Sequence, residues 1–182
     1  RNLVCSALIA LNVVAFLLAS FALAPEFSVV LGLNALCFSD GFWWQPITTM
    51  FMHGGIAHLA LNMIVLWQFG SVLERYLGSL RFGALYLVGG VACSLLSAVY
   101  VYFETIRTGH FVNVVGASGA ICVLMGYYAF VDKHSAKGLV VALLLMSFAP
   151  IFMGINIAWY AHIFGFICGY GLAKLRNLRT LR

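Results

Sequence analysis

Charged residues are scarce in this chain. Asp, Glu, Lys and Arg together make up 8% of its 182 residues, and only five are acidic. A soluble domain carries about 25%. So few charges cannot cover a water-facing surface, which excludes an ordinary soluble enzyme or solvated binding module. Proline is rare too, at three residues, so little interrupts long helices. The five cysteines, Cys5, Cys37, Cys93, Cys122 and Cys168, form no CxxC pair. That excludes a disulfide framework or zinc cluster and leaves them as small packing residues. His53 and His58 stand five apart, but HExxH is missing and no third ligand is evident, so no metal or other cofactor is expected. The net charge of +5 does not mark a nucleic-acid binder, because the basic residues fall at the ends of apolar runs rather than on one face. What remains is apolar: 64% hydrophobic, with a mean hydropathy of +1.04. The chain belongs in lipid.

A membrane-spanning helix needs about 20 mostly apolar residues. Residues 3–24 hold no charge and predict span one. Ala22-Leu23-Ala24 before Pro25 has the look of a cleavage site, but the apolar run exceeds the roughly 7–15 residues of a signal peptide and reads as a retained anchor. The stretch around Pro46, Thr48, Thr49 and Gly54-Gly55 reads as loop, with span two at 56–76 and span three at 82–103. Residues 118–131 predict a short span four of about 21 Å, less than the roughly 30 Å hydrocarbon core. Residues 138–173 carry no formal charge and are too long for one crossing, so Pro150 and Gly154 divide them into spans at 138–152 and 156–174. The expected fold is all-α, a single six-span membrane domain over residues 1–182. Its loops sort by charge: Arg1, Arg75, Arg81, Lys133, Lys137, Lys174, Arg176, Arg179 and Arg182 fall on one side, and only Arg107 on the other. That asymmetry places both termini in the cytoplasm.

Polar groups at membrane depth point to function. Ser118 lies 14 residues from Asp132, His162 lies 12 from Lys174, and Asn62 lies 12 from Glu74, which puts all three about 18–21 Å from the cytoplasmic charges. His58, four residues before Asn62, shares its helix face about 24 Å up. Gly165 and Gly169 follow His162 at i+3 and i+7, while Gly116, Ala117, Gly119 and Ala120 surround Ser118, so spans four and six can approach closely. A serine hydroxyl is a weak nucleophile until an adjacent base takes its proton, and His162 is the only imidazole in span six. The Ser118 N–H opens a helix, and His58 and Asn62 offer two further donors for an oxyanion. Each residue has a plainer reading: Ser118 as a cap, His162 as a buried histidine bonded to a carbonyl, Asn62 as interhelical glue. The Glu74-Arg75 pair reads as an interfacial cap and salt-bridge group, and Phe42-Trp43-Trp44 as an interface anchor.

These residues resemble the rhomboid intramembrane serine proteases. The matching pieces are His53-x4-His58-x3-Asn62, Gly70-x3-Glu74-x3-Gly78, Gly116-x-Ser118-Gly119 and Ala161-His162-x2-Gly165-x3-Gly169, in family order over most of the chain. The resemblance implies a six-helix bundle with a Ser118–His162 dyad and no third acidic member. It implies an oxyanion site of His58, Asn62 and the Ser118 N–H, with His53, Gly116, Gly119, Cys122, Gly165 and Gly169 as structural neighbours. It also implies a partly embedded interfacial loop over about 25–49, a turn at 153–156 capping the site, and substrate entry beside span five. Three positions depart from the family pattern. Trp44-Gln45 stands where Trp-Arg is common, Cys122 where many members carry an aromatic packed on the catalytic imidazole, and Thr49 where some carry histidine. Trp159 or Tyr160 is expected to supply packing on His162 instead.

The expected activity is a serine endopeptidase that cuts transmembrane protein substrates entering laterally from the lipid bilayer. The partners are membrane proteins and lipid, not nucleic acid; the sequence sets no oligomeric state. The compact form resembles that of bacterial inner-membrane members. Two rivals stay open: a catalytically silent rhomboid-like protein that binds membrane helices, and a small channel or transporter.

Overall fold

The computed structural model describes residues 2–180. Arg1 and Arg182 lie outside the described residues, as does the side chain of Arg179. Among the described residues the fold is helical, with one isolated antiparallel bridge between Leu33 and Val114. The helices are α1 (Leu3–Phe21), α2 (Phe27–Leu31), α3 (Leu36–Ser39), α4 (Gln45–Thr48), α5 (Ile56–Leu77), α6 (Ser79–Thr108), α7 (Ser118–Val131), α8 (Ala136–Phe152) and α9 (Trp159–Thr180). By length and composition α1, α5 and α6 are long and apolar enough to cross a membrane, and α7 and α8 are shorter apolar helices.

Helix α1 stops at Phe21, short of the expected Ala24, because Pro25 disfavours helix in the residue before it. Helix α6 runs to Thr108, five residues past Phe103, carrying Glu104 and Arg107 on an extra turn. That pair bridges at 2.6 Å three residues apart, a spacing a helix favours, and Gly109 ends the helix at φ 72°. Between α7 and α8, Ser135 Oγ donates to Asp132 Oδ2 at 2.6 Å and His134 N to Oδ1 at 3.0 Å. The Ser135 hydroxyl holds the Asp132 carboxyl below its usual range.

Helix α7 forms the centre. It is apolar around its whole circumference, and nine of its 14 residues are buried. Glycines set its contact with α9: a Cβ on Gly126 would run into the Phe166 carbonyl, one on Gly165 into the Gly119 carbonyl, and one on Gly169 into the Val123 carbonyl. The two backbones therefore touch directly, as small residues allow between membrane helices. Apolar side chains on the outside, such as Leu17, Leu61, Val88 and Leu145, are exposed. Such a surface is stable against lipid tails and not against water.

The expected cap and salt-bridge group at the end of α5 is different in kind. Glu74 is buried and accepts hydrogen bonds from Val4 N at 3.0 Å, Cys5 N at 2.9 Å and Ser79 Oγ at 2.6 Å. Its carboxylate satisfies free N–H groups in the first turn of α1, where the helix dipole favours a negative charge. Arg75 beside it is exposed.

Residues 25–55, read in part as loop, contain three short helices and a 3-10 turn at Thr49–Phe51. Gln45 is wholly buried there. Its Nε2 donates to Val29 O at 3.1 Å and to Asn34 Oδ1 at 3.2 Å, and its Oε1 accepts from Asn34 N at 3.2 Å. A neutral amide can both give and accept, so Gln45 ties the segment together without a cation.

Candidate active site

The approach to Ser118 is held from the side. Asn34 Nδ2 donates to Asn113 Oδ1 at 2.9 Å, and Leu33 and Val114 exchange backbone hydrogen bonds at 2.8 Å. Thr49 Oγ1 donates to Val114 O at 2.6 Å, and Gly116 N donates to Thr49 O at 3.0 Å. The 25–55 segment thus grips residues 113–116 just before Ser118. Gly116 adopts φ 136°, which L side chains rarely reach, and an added Cβ would lie 2.9 Å from His58 Cε1. The chain turns there and delivers Ser118 to the first position of α7.

Ser118 is half-buried, and its Oγ lies 3.0 Å from His162 Nε2. His162 is buried, only 3% exposed. The separation falls within the hydrogen-bond reach that a nucleophile and base require. The close α7–α9 contact sets it, since Gly165 and Gly169 stand on the same face of α9 as His162. Gly119, next to Ser118, faces Cys93 Sγ, which in turn donates to Ala161 O at 3.1 Å.

His58 projects from α5 beside Gly116, bringing a second imidazole to the serine's turn. His53 is buried and packs edge-on against it, ring centroids 5.2 Å apart. Among the described residues no group of three His, Cys, Asp or Glu side chains converges on a common point. Asn62 is buried, with Nδ2 donating to His58 O at 2.9 Å. That bond uses one of the two N–H groups of the amide.

The sequence offered Trp159 and Tyr160 as rings to pack on His162. Both turn elsewhere: Tyr160 stacks on Tyr100 at 4.1 Å, and Trp159 meets Tyr100 and Phe148. Cys122 is fully buried, and its Sγ touches Met146 Sδ at 4.0 Å. The other nitrogen of His162, Nδ1, lies 3.2 Å from Ser147 Oγ on α8. Sequence reasoning missed Ser147, although the signal was there. It is the only Ser or Thr in residues 138–173, and it lies 10 residues beyond Lys137, about 15 Å deep. Thr49 was also missed as a partner of the serine's approach, because its contact spans 65 residues of sequence.

A Rhomboid domain matches residues 40–177, a region containing His53, His58, Asn62, Ser118, Ser147 and His162. The chain is similar to the putative rhomboid protease YdcA of Bacillus subtilis, 32% identical over 166 residues, covering 83% of this chain and 78% of that one. It is similar to the rhomboid protease GluP of the same organism, 31% identical over 147 residues and 77% of this chain, but spans only 27% of GluP's length. It is also similar to RHOMBOID-like protein 6, mitochondrial, of Arabidopsis thaliana, 36% identical over 140 residues, covering 71% of this chain and 42% of that one.

Proposed function

From the premise that the chain belongs to the rhomboid family of integral membrane proteins, we propose that it is an intramembrane serine endopeptidase working through a Ser118–His162 dyad. The observation that carries this reading is the 3.0 Å separation of Ser118 Oγ and His162 Nε2 at the head of a buried helix.

In the proposed reaction Ser118 Oγ attacks the scissile carbonyl as its proton passes to His162 Nε2. The developing oxyanion meets the Ser118 N–H at the first turn of α7, the free N–H of Asn62 and the imidazole of His58. His162 returns the proton to the leaving amine. Water then hydrolyses the acyl-enzyme by the same steps in reverse order. No cofactor is called for. Helices α1 and α5–α9 form one six-span domain with both termini cytoplasmic, supported by the sorting of basic residues among the loops. The 25–55 segment lies along the outer interface. Substrates are transmembrane proteins that enter from the bilayer beside α8. They unwind locally at the cut, so helix-breaking residues are favoured there.

The test is mass spectrometry of a single-pass reporter protein incubated with the purified chain, together with fluorophosphonate labelling. Cleavage within or beside the reporter's membrane segment and labelling of Ser118 are expected, and Ser118→Ala loses both. A Ser118→Ala protein that still cuts ends the dyad assignment. A wild type that binds the reporter but neither cuts nor labels favours the silent helix-binding alternative.

A further inference from the structure

His162 has two ring nitrogens, and the proposed chemistry uses only Nε2. A neutral imidazole carries one proton. To receive the Ser118 proton at Nε2, the ring must hold its own on Nδ1, and which nitrogen is protonated is set by the partner of the other. Left to itself, a histidine side chain favours the opposite tautomer, with the proton on Nε2. Something must therefore hold the proton at Nδ1.

The group at that position is the Ser147 hydroxyl, 3.2 Å away. Ser147 has no solvent exposure and His162 only 3%, so water is poorly placed to substitute. Among the described residues no aromatic ring pairs with His162, and the side chain one turn after Ser118 is Cys122. Ser147 is the last member of the buried stripe Leu139, Leu143, Ser147 on α8, spaced by four and so on one helix face. Its neighbour Met146 touches Cys122 on α7. Two consecutive α8 residues thus contact the elements that carry the nucleophile and the base.

We infer that Ser147 is a positioning residue, its Oγ accepting the Nδ1–H of His162 and so fixing the tautomer and ring orientation that leave Nε2 free as the base. The inference rests on the assignment of His162 as the base. During the reaction the proton moves from Ser118 Oγ to Nε2 and from there to the leaving amine. Ser147 gains and loses none; it keeps the Nδ1–H bond throughout, including while the ring is an imidazolium.

The experiment uses the full chain with 15N-labelled histidine, in detergent, comparing wild type with Ser147→Ala, Ser147→Thr and Ser147→Val. The His162 signals are assigned against His162→Gln. In the wild type the neutral ring is expected to be protonated on Nδ1, and in Ser147→Ala to shift towards Nε2–H. On a cleavable reporter Ser147→Ala should lower kcat about tenfold, one hydrogen bond's effect, with KM unchanged. Threonine keeps the hydroxyl and should restore both readouts. Valine has threonine's shape without the hydroxyl and should not, which separates hydrogen bonding from packing even if alanine lowers stability. A wild-type ring protonated on Nε2, or a Ser147→Ala protein with wild-type tautomer and kcat, overturns the inference. A wild type that shows Nδ1–H but never cleaves defeats the protease reading and leaves the Ser147 contact standing.

Discussion

Helices α7 and α8 are adjacent in sequence and both almost wholly apolar, yet they occupy opposite situations. Nine of the 14 residues of α7 are buried, against three of the 17 in α8. The difference lies in small residues. Helix α7 offers Gly119, Cys122 and Gly126, and α9 answers with Gly165 and Gly169, so the two backbones meet. Helix α8 carries Leu, Val and Phe around most of its surface, which stand off from a neighbouring backbone and suit lipid instead. The contrast explains why the candidate nucleophile and base are brought together by the close α7–α9 contact, while α8 contributes a single hydroxyl from one stripe.

The comparison can be tested from its strongest consequence down. Ser118→Ala at the head of α7 should cut turnover of a reporter by about 10⁴-fold or more with an unchanged melting curve, far beyond the tenfold expected of Ser147→Ala on α8. Gly126→Leu drives a side chain into the Phe166 carbonyl and should cost about 3 kcal/mol or more, read by thermal unfolding in micelles. Wild-type melting of that variant would refute a close-packed α7–α9 contact. Glu74→Ala removes an acceptor from two α1 N–H groups and Ser79, and should destabilise by about 2–3 kcal/mol in the same assay. Thr49→Val loses the bond to Val114 O beside the serine and should cost about 1 kcal/mol with a several-fold drop in turnover. Leu144→Ala, on the outward side of α8, should stay within about 0.5 kcal/mol. A larger loss would mean that α8 is packed by something beyond one stripe.

Depth arithmetic on the sequence singled out Ser118, His162, His58 and Asn62 because each is a polar residue in an otherwise apolar run. The same arithmetic puts Ser147 about 15 Å deep, within a helical turn of Asn62 and His162, yet a lone serine in a membrane helix reads as helix-satisfied and draws no attention. Glu74 was visible as a conspicuous charge, but its partners are N–H groups about 70 residues away, and backbone donors have no sequence signature. Gln45, Asn34 and Asn113 share that limitation. Each is an ordinary loop amide until the fold buries it against the others, and their link across 79 residues depends on where α6 returns the chain. The rings at Trp159 and Tyr160 illustrate the converse: closeness to His162 in sequence suggested contact, but the helix turns them towards Tyr100.

Composition and spacing alone determined that this chain is helical and belongs in lipid. They also singled out Ser118, His162, His58 and Asn62, because the cost of putting polar groups in hydrocarbon makes each one conspicuous along the chain. Tertiary structure decided which apolar helix is central, which nitrogen of His162 faces Ser118, and which hydroxyl meets the other. Those outcomes depend on the rotation and closest approach of helices about their axes, which glycine contacts set and hydropathy does not encode.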